Sequence, residues 1–283
     1  MQNNCTMAVM QSQPDWVSVT AKTTLLNTSL QSLGSMLVAQ SIAEGNYERE
    51  FHWRGYHGTT ARHVSWGVRP DGTLLQISGP MAADHWRDAV SVADHVTRLD
   101  LQVTAHVDPP TSSLAADLYR DSLAGSGGPG RPVRTYLYVN SDGGATFYLG
   151  SPSSAQRGRV YNKEKESENE LYADCWRWEV QFRDPPAGPV ADDLRRSGAT
   201  YQRCGSYVRE WFARRGAEPG WQSSAVVLPR PGNRAKTDTA RSLRWLAREV
   251  RPSVDRLRER GLEAAALKAL GLDQLFDNPS DVG

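Results

Sequence analysis

The sequence predicts an α+β fold: a mostly antiparallel central sheet with flanking helices, followed by a helical C-terminal region. Three observations predict it. Segments of alternating polar and apolar residues come in pairs around turn words, as at 64–68 and 74–78 around Arg69-Pro70-Asp71-Gly72, and at 134–139 and 145–149 around Asn140-Ser141-Asp142-Gly143-Gly144. Apolar residues at three- and four-residue intervals mark helices at 24–43 and 81–96. Beyond Asp184-Pro185-Pro186-Ala187-Gly188-Pro189 the periodicity becomes helical throughout.

In chain order, residues 1–13 are polar and unpatterned, and disorder is expected there. Residues 15–20 set Trp16, Ser18 and Thr20 against Val17 and Val19, a first strand. In 97–107, Leu99, Leu101 and Val103 share one side, with Asp100, Gln102 and Thr104 on the other. A helix is expected at 114–123, closed by the glycine-rich 125–130 loop. Two strands follow, Arg159-Val160-Tyr161-Asn162-Lys163 and Trp176-Arg177-Trp178-Glu179-Val180-Gln181-Phe182. Their polar faces carry Arg159, Tyr161 and Lys163 on one and Arg177, Glu179 and Gln181 on the other. Helices are then expected at 201–215, 237–250, 254–260 and 262–270. The expected organisation is a disordered segment to residue 13, a sheet domain over 14–186, and an arginine-rich helical region over 187–283.

The 283 residues carry 33 Lys+Arg against 32 Asp+Glu, so the net charge of +1 announces no partner, but its distribution does. Six arginines face one acid, Glu210, between Arg195 and Arg215, and ten basic residues face five acidic ones from Arg234 to Lys268. Such a stretch provides a phosphate-binding surface if it clusters in space, and a solvated helix face if it does not. Cys5, Cys175 and Cys204 are too few and scattered for a disulfide framework or zinc site, which points to a reducing cytoplasm. No stretch approaches the ~18 apolar residues of a membrane span, so no membrane partner is expected. The glycine-rich loop lacks the Gly-Lys-Ser/Thr of a nucleotide-binding P-loop.

A tyrosine among cations, with a carboxylate one strand away, suits metal-assisted attack on a DNA phosphodiester. Tyr161 would supply the hydroxyl, Arg159 and Lys163 would stabilise charge on it, and Asp100 and Glu179 would hold the metal. Gln102, on the face of Asp100, is a further ligand candidate, and Asp15 a weaker one. Singly, each residue fits an ordinary role better: a strand tyrosine packs, and Asp100 beside Arg98 or Glu179 beside Arg177 makes an ion pair. The convergence of three polar strand faces favours the chemistry. No two of the six histidines stand two apart, so a carboxylate-held Mg or Mn ion is the cofactor expected. Arg177, Lys165 and the arginine-rich helices, with Arg209, Arg241 and Arg244, are the expected DNA contacts. Trp53 and Trp221 are candidates to stack on unpaired bases.

The words Tyr148-Leu149-Gly150-Ser151-Pro152-Ser153-Ser154 and Gly158-Arg159-Val160-Tyr161-Asn162-Lys163, with Arg98-Leu99-Asp100-Leu101, Trp176-Arg177-Trp178-Glu179 and Gly67-Val68-Arg69-Pro70-Asp71-Gly72, resemble the replication initiation factor family over about residues 15–185. These are rolling-circle initiators of plasmids and filamentous phages, with related relaxases of conjugative elements. The resemblance implies a nicking enzyme whose Tyr161 becomes joined to a 5′ phosphate, with Asp100 and Glu179 binding a divalent cation. It also implies origin DNA as substrate, a host helicase as partner, and a homodimer. Ala155, where relatives often carry an acid, departs from the pattern. A conjugative relaxase would share every one of these words, and a non-catalytic DNA-binding regulator would share the fold.

Overall fold

The computed structural model describes residues 6–124, 134–141, 143–167, 170–198, 200–229, 257 and 259–262. The chain divides into two compact units, Met1–Gly232 and Asn233–Gly283. In the first, the elements run β1 (Thr6–Ala21), α1 (Thr24–Ala43), β2 (Arg49–Trp53), β3 (Tyr56–Ala61), β4 (Val64–Arg69), β5 (Gly72–Ser78), α2 (Gly79–Ser91) and β6 (His95–Asp108). They continue through α3 (Leu114–Ala124), β7 (Thr135–Val139), β8 (Ala145–Leu149), β9 (Gln156–Asn162), α4 (Lys163–Ser167), a 3-10 turn (Glu170–Tyr172), β10 (Cys175–Arg183), α5 (Ala187–Ser197) and α6 (Thr200–Ala213).

The ten strands form one sheet in the order β2-β3-β4-β5-β1-β6-β10-β9-β8-β7, antiparallel at every pairing. The expected α+β class and antiparallel sheet are what the chain forms. Strand alternation sorts side chains by face. One face carries Leu99, Leu101 and Val103 of β6, Trp176, Trp178, Val180 and Phe182 of β10, and Phe147 of β8, all buried. Helices cover this face through edge-to-face ring pairs: Trp178 with Phe212 at 4.9 Å, Phe182 with Tyr207 at 6.3 Å, and Phe147 with Tyr119 at 6.5 Å. Gly158 of β9 admits the rings of α6, since a Cβ there would lie 2.4 Å from Trp211. Gln156 is the polar anchor of the interface, accepting from Trp211 Nε1 at 3.0 Å and donating to Pro229 O at 2.9 Å.

Several expectations change. Residues 6–13, where disorder is expected, belong to β1: residues 6–9 pair with 108–105 of β6 and so satisfy their backbone groups in the sheet. No boundary falls at residue 186: α5 and α6 pack on the sheet within the first unit. Around Trp53, residues 51–57 form a two-residue hairpin between β2 and β3 that the sequence pattern did not predict, with Arg54 (φ 48°) and Gly55 (φ 81°) both left-handed, as a type I′ turn requires. Trp221 is 4% exposed and meets Trp178 edge-to-face at 5.6 Å, so it is core and not a base-stacking platform. Trp53, at 40% exposure beside that turn, stays at the surface. The 125–130 loop and the helices expected beyond residue 236 lie outside the described residues, save Leu257 and residues 259–262. Among the described residues no helix is long and apolar enough to cross a membrane.

Candidate active site

The second face of the sheet holds the chemistry. Register places Arg98, Asp100, Gln102 and Thr104 of β6 opposite Arg183, Gln181, Glu179 and Arg177 of β10. Across β10, Arg177 faces Tyr161, Glu179 faces Arg159, and Gln181 faces Arg157 of β9; Tyr148 of β8 lies beyond Arg159. The same alternation that sends four aromatic and aliphatic side chains of β10 into the core sends its charged ones here.

At the centre, the Tyr161 hydroxyl donates to Glu179 Oε1 at 2.7 Å, and Arg159 Nε donates to Glu179 Oε2 at 2.5 Å. One carboxylate thus binds both the phenol and a guanidinium, which also sits 5.0 Å from the Tyr161 ring centre. Tyr161 is 7% exposed and Glu179 4%. Burial, then the Glu179 charge, pushes the phenol well above its ordinary range, against Arg177 and Arg159. Burial opposes the Arg159 charge, but Glu179 overrides it and holds the guanidinium firmly protonated. The phenol is therefore neutral at physiological pH, with its proton already directed at a carboxylate oxygen.

Asp100 accepts from Arg98 Nε at 2.9 Å and Nη2 at 2.5 Å, and from Gln181 Nε2 at 3.2 Å. Burial raises its carboxyl nonetheless, with Arg98 opposing. Gln102 stands between the two acids, directly opposite Glu179, and its Oε1 is buried with no hydrogen-bond partner. Asp15 joins them from β1 at a bulge between Pro14 and Trp16. Burial, then the Glu179 charge, pushes its carboxyl up to about 6. Among the described residues no three His, Cys, Asp or Glu side chains cluster as a metal site. The donors still have the chemistry for a hard cation: carboxylate oxygens, an unpartnered amide oxygen, and an acid that burial and then a neighbouring carboxylate drive toward protonation.

The remaining expected residues divide. Lys163 does not share the face of Tyr161, because β9 ends at Asn162, whose Oδ1 accepts Lys165 N at 2.9 Å and caps α4. Its amine instead pairs with Glu166 and sits 5.3 Å from the Tyr172 ring. Arg177 is 7% exposed and donates to Thr104 Oγ1 at 2.9 Å, so it borders Tyr161 from within and presents little to a long ligand. The alternative ion pair with Glu179 is not made; Arg159 has that place. Lys165 is exposed on α4. Arg209 belongs to α6, on the helical side of the sheet, and pairs with Glu218. Arg241 and Arg244 lie outside the described residues.

Beside Glu179 a cleft of about 230 Å³ opens, lined by Arg98, Asp100, Tyr148, Arg157, Gly158, Arg159, Glu179, Gln181 and Arg183. Arg157 and Arg183 were missed from sequence. Each continues an alternation already read, 157-159-161 on β9 and 177-179-181-183 on β10.

Residues 126–266 match the model of the replication initiation factor family. The match covers Arg159, Tyr161, Lys163 and Glu179, but begins after Asp100 and Gln102, later than the span the sequence words indicated. No curated protein matches. Among solved structures, the rolling circle replication initiator protein from Geobacillus stearothermophilus is similar at 20% identity and a TM-score of 0.51, over 74% of this chain and 85% of that one. DynU16, a protein of the dynemicin biosynthetic locus, gives 15% identity and a TM-score of 0.23, over 71% and 99%. The first likeness supports the α+β fold.

Proposed function

From its resemblance to the replication initiation factor family over residues 126–266, we propose that the chain initiates rolling-circle replication by nicking one DNA strand at an origin. The observation that carries this reading is the Tyr161 hydroxyl held on Glu179 beside Arg159, within the matched segment. Tyr161 Oη attacks the phosphorus, the bond to the 3′ oxygen breaks, and a 5′-phosphotyrosine and a free 3′ hydroxyl result. The phenol needs a proton acceptor at that moment, because its own ionisation is suppressed. Glu179 Oε1 takes that proton, and Arg159 stabilises charge on the phosphoryl oxygens. The departing 3′ oxygen takes up a proton as it leaves. Attack by a 3′ hydroxyl on the phosphotyrosine reverses each step and closes the strand without ATP.

Asp100 and Gln102 would hold a Mg or Mn ion, with Asp15 as a third oxygen donor; Glu179, expected from sequence as a ligand, is engaged through both oxygens by Tyr161 and Arg159 and acts as the base instead. Such an ion supplies Lewis-acid polarisation of the scissile phosphate. Lys165, exposed on the helix that follows Tyr161, would contact the DNA backbone, a role that Arg209, paired with Glu218 on the other face of the sheet, supports less. A homodimer and a host helicase complete the reading: two transfers need two tyrosines, and unwinding needs a motor.

The test is incubation with labelled single-stranded DNA from the origin of the chain's own element, with Mg or Mn, followed by denaturing electrophoresis and peptide mapping. A covalent adduct at Tyr161 is expected. Tight binding with no adduct on any origin strand would make the chain a DNA-binding regulator.

A further inference from the structure

The cleft beside Glu179 has an unbalanced charge. Four arginines and two carboxylates line it. Arg98 is taken by Asp100 and Arg159 by Glu179, each through a short charge-assisted bond. Among the described residues, no acid pairs with Arg157 or Arg183. Arg157 lies 4.2 Å above the Tyr148 ring, and its Nε is buried with no hydrogen-bond partner. Arg183 spends one bond on Pro152 O, at 2.8 Å. Burial and then the Arg98 charge hold its guanidinium below the usual range, with Asp100 opposing and Arg157 and Arg54 adding repulsion. Two guanidinium groups, one held over an aromatic ring, thus face a concave site whose acids are already engaged.

We propose that Arg157 and Arg183 bind a backbone phosphodiester of the DNA strand, a few nucleotides from the one Tyr161 attacks. This rests on the strand-cleaving reading for the identity of the polymer. Planar guanidinium forks match two phosphate oxygens at once, which makes arginine suited to the task. The position follows from strand geometry. Arg183 is four residues beyond Glu179 on β10, or ~13 Å at ~3.3 Å per residue. That backbone separation exceeds the spacing of adjacent phosphates along a strand, which favours a neighbouring phosphate at Arg183 over the scissile one. The cleft is below the ~300–1,000 Å³ of pockets that enclose a whole small ligand, so it suits a group passing along an extended chain. Gln181, between Glu179 and Arg183 on the same face, donates to Asp100 and closes the cleft floor. Anchoring the strand beside the cut would hold the new end in register for rejoining.

The probe is a fluorescein-labelled (dT)12 strand, titrated over a range of NaCl with wild type, Arg157→Gln, Arg183→Gln, the double variant and Arg157→Lys. The double variant is expected to bind roughly tenfold more weakly, equivalent to about 1.4 kcal/mol. The slope of log K against log[NaCl] should fall by about 0.7 in the double variant, for the one phosphate no longer neutralised. Arg157→Lys should keep the slope and lose part of the affinity, since charge survives and the fork does not. Variants that melt like wild type yet bind with unchanged affinity and slope overturn the proposal. If Arg157→Gln fails to fold, Arg183→Gln at the strand end carries the same test alone. Inorganic phosphate is the second probe: a thermal shift abolished in the variants, with (dT)12 affinity independent of both arginines, assigns the cleft to a free anion and also overturns it. Adduct formation at Tyr161 with saturating DNA is read separately. An adduct with arginine-independent affinity defeats this inference alone, and arginine-dependent affinity with no adduct defeats only the nicking reading.

Discussion

Replacing Asp15 with asparagine should stabilise the protein at neutral pH. The Asp15 carboxyl, ordinarily near 3.8, is pushed up to about 6 by burial and by Glu179. Folding therefore disfavours its charged form, by roughly 3 kcal/mol at ~1.36 kcal/mol per pH unit, an order-of-magnitude figure. The sign follows from proton counting. Between pH 3.8 and about 6 the folded state holds a proton that the unfolded chain has released, so stability falls as pH rises through that window. Above it the full cost persists; below it there is none. An asparagine amide carries no charge at any pH. Urea unfolding with EDTA present, at pH 7.5 and again near pH 4, should show Asp15→Asn more stable than wild type at the first, by up to about 3 kcal/mol, and about equal at the second. A variant destabilised equally at both values would refute the reasoning, because Asp15 would then act as a hydrogen-bonding side chain and not as a strained charge. A gain in stability with loss of metal-dependent nicking would be the trade-off expected where acids are gathered for function.

Tyr161→Phe should abolish the covalent adduct and leave DNA binding nearly intact, while costing about 1–3 kcal/mol of stability as Glu179 Oε1 loses its donor; an adduct in the variant, read by the same gel, would sink the assignment. Mg or Mn should raise the melting temperature of wild type at pH 7.5 and do so less in Asp100→Ala, a difference that calorimetry resolves. Gly158→Ala forces a Cβ to 2.4 Å from Trp211 and should cost about 1–3 kcal/mol in urea unfolding, with the helical face and not the active site as the cause. Trp178→Ala, emptying a fully buried site between Phe212 and Trp221, should cost about 3–5 kcal/mol by the same measurement.

The faces of β9 and β10 were legible because a strand writes its orientation in every second residue. That rule found Arg159, Tyr161, Arg177 and Glu179, and one more step along each strand would have reached Arg157 and Arg183. It failed where a strand stopped or slipped. Lys163 looked like a third member of the Tyr161 face, but Asn162 caps a helix there, a role its neighbours did not announce. Asp15 carried a weak signal because a bulge beside it breaks the count. The ion pair open to Glu179 was hidden for a different reason: sequence adjacency offers Arg177 as the ordinary alternative, whereas cross-strand register delivers Arg159. The hairpin of β2 and β3 escaped notice because His, Trp and Arg at its turn lack the apolar alternation that marks a strand.

The central place of β1 has a consequence for how the protein comes into being. It pairs with β5 on one side and with β6 on the other, and β6 in turn carries β10. During synthesis β1 therefore waits until residue 108 has been made before its second edge is filled. The stretch that matches the family, residues 126–266, includes β7 to β10 but neither β1 nor β6. Expressed alone, it would offer the bare edge of β10 as an open row of amides and carbonyls, which is a template for self-association. The recognisable half of this protein thus holds only four of the ten strands, and its sheet is completed by strands made well before it.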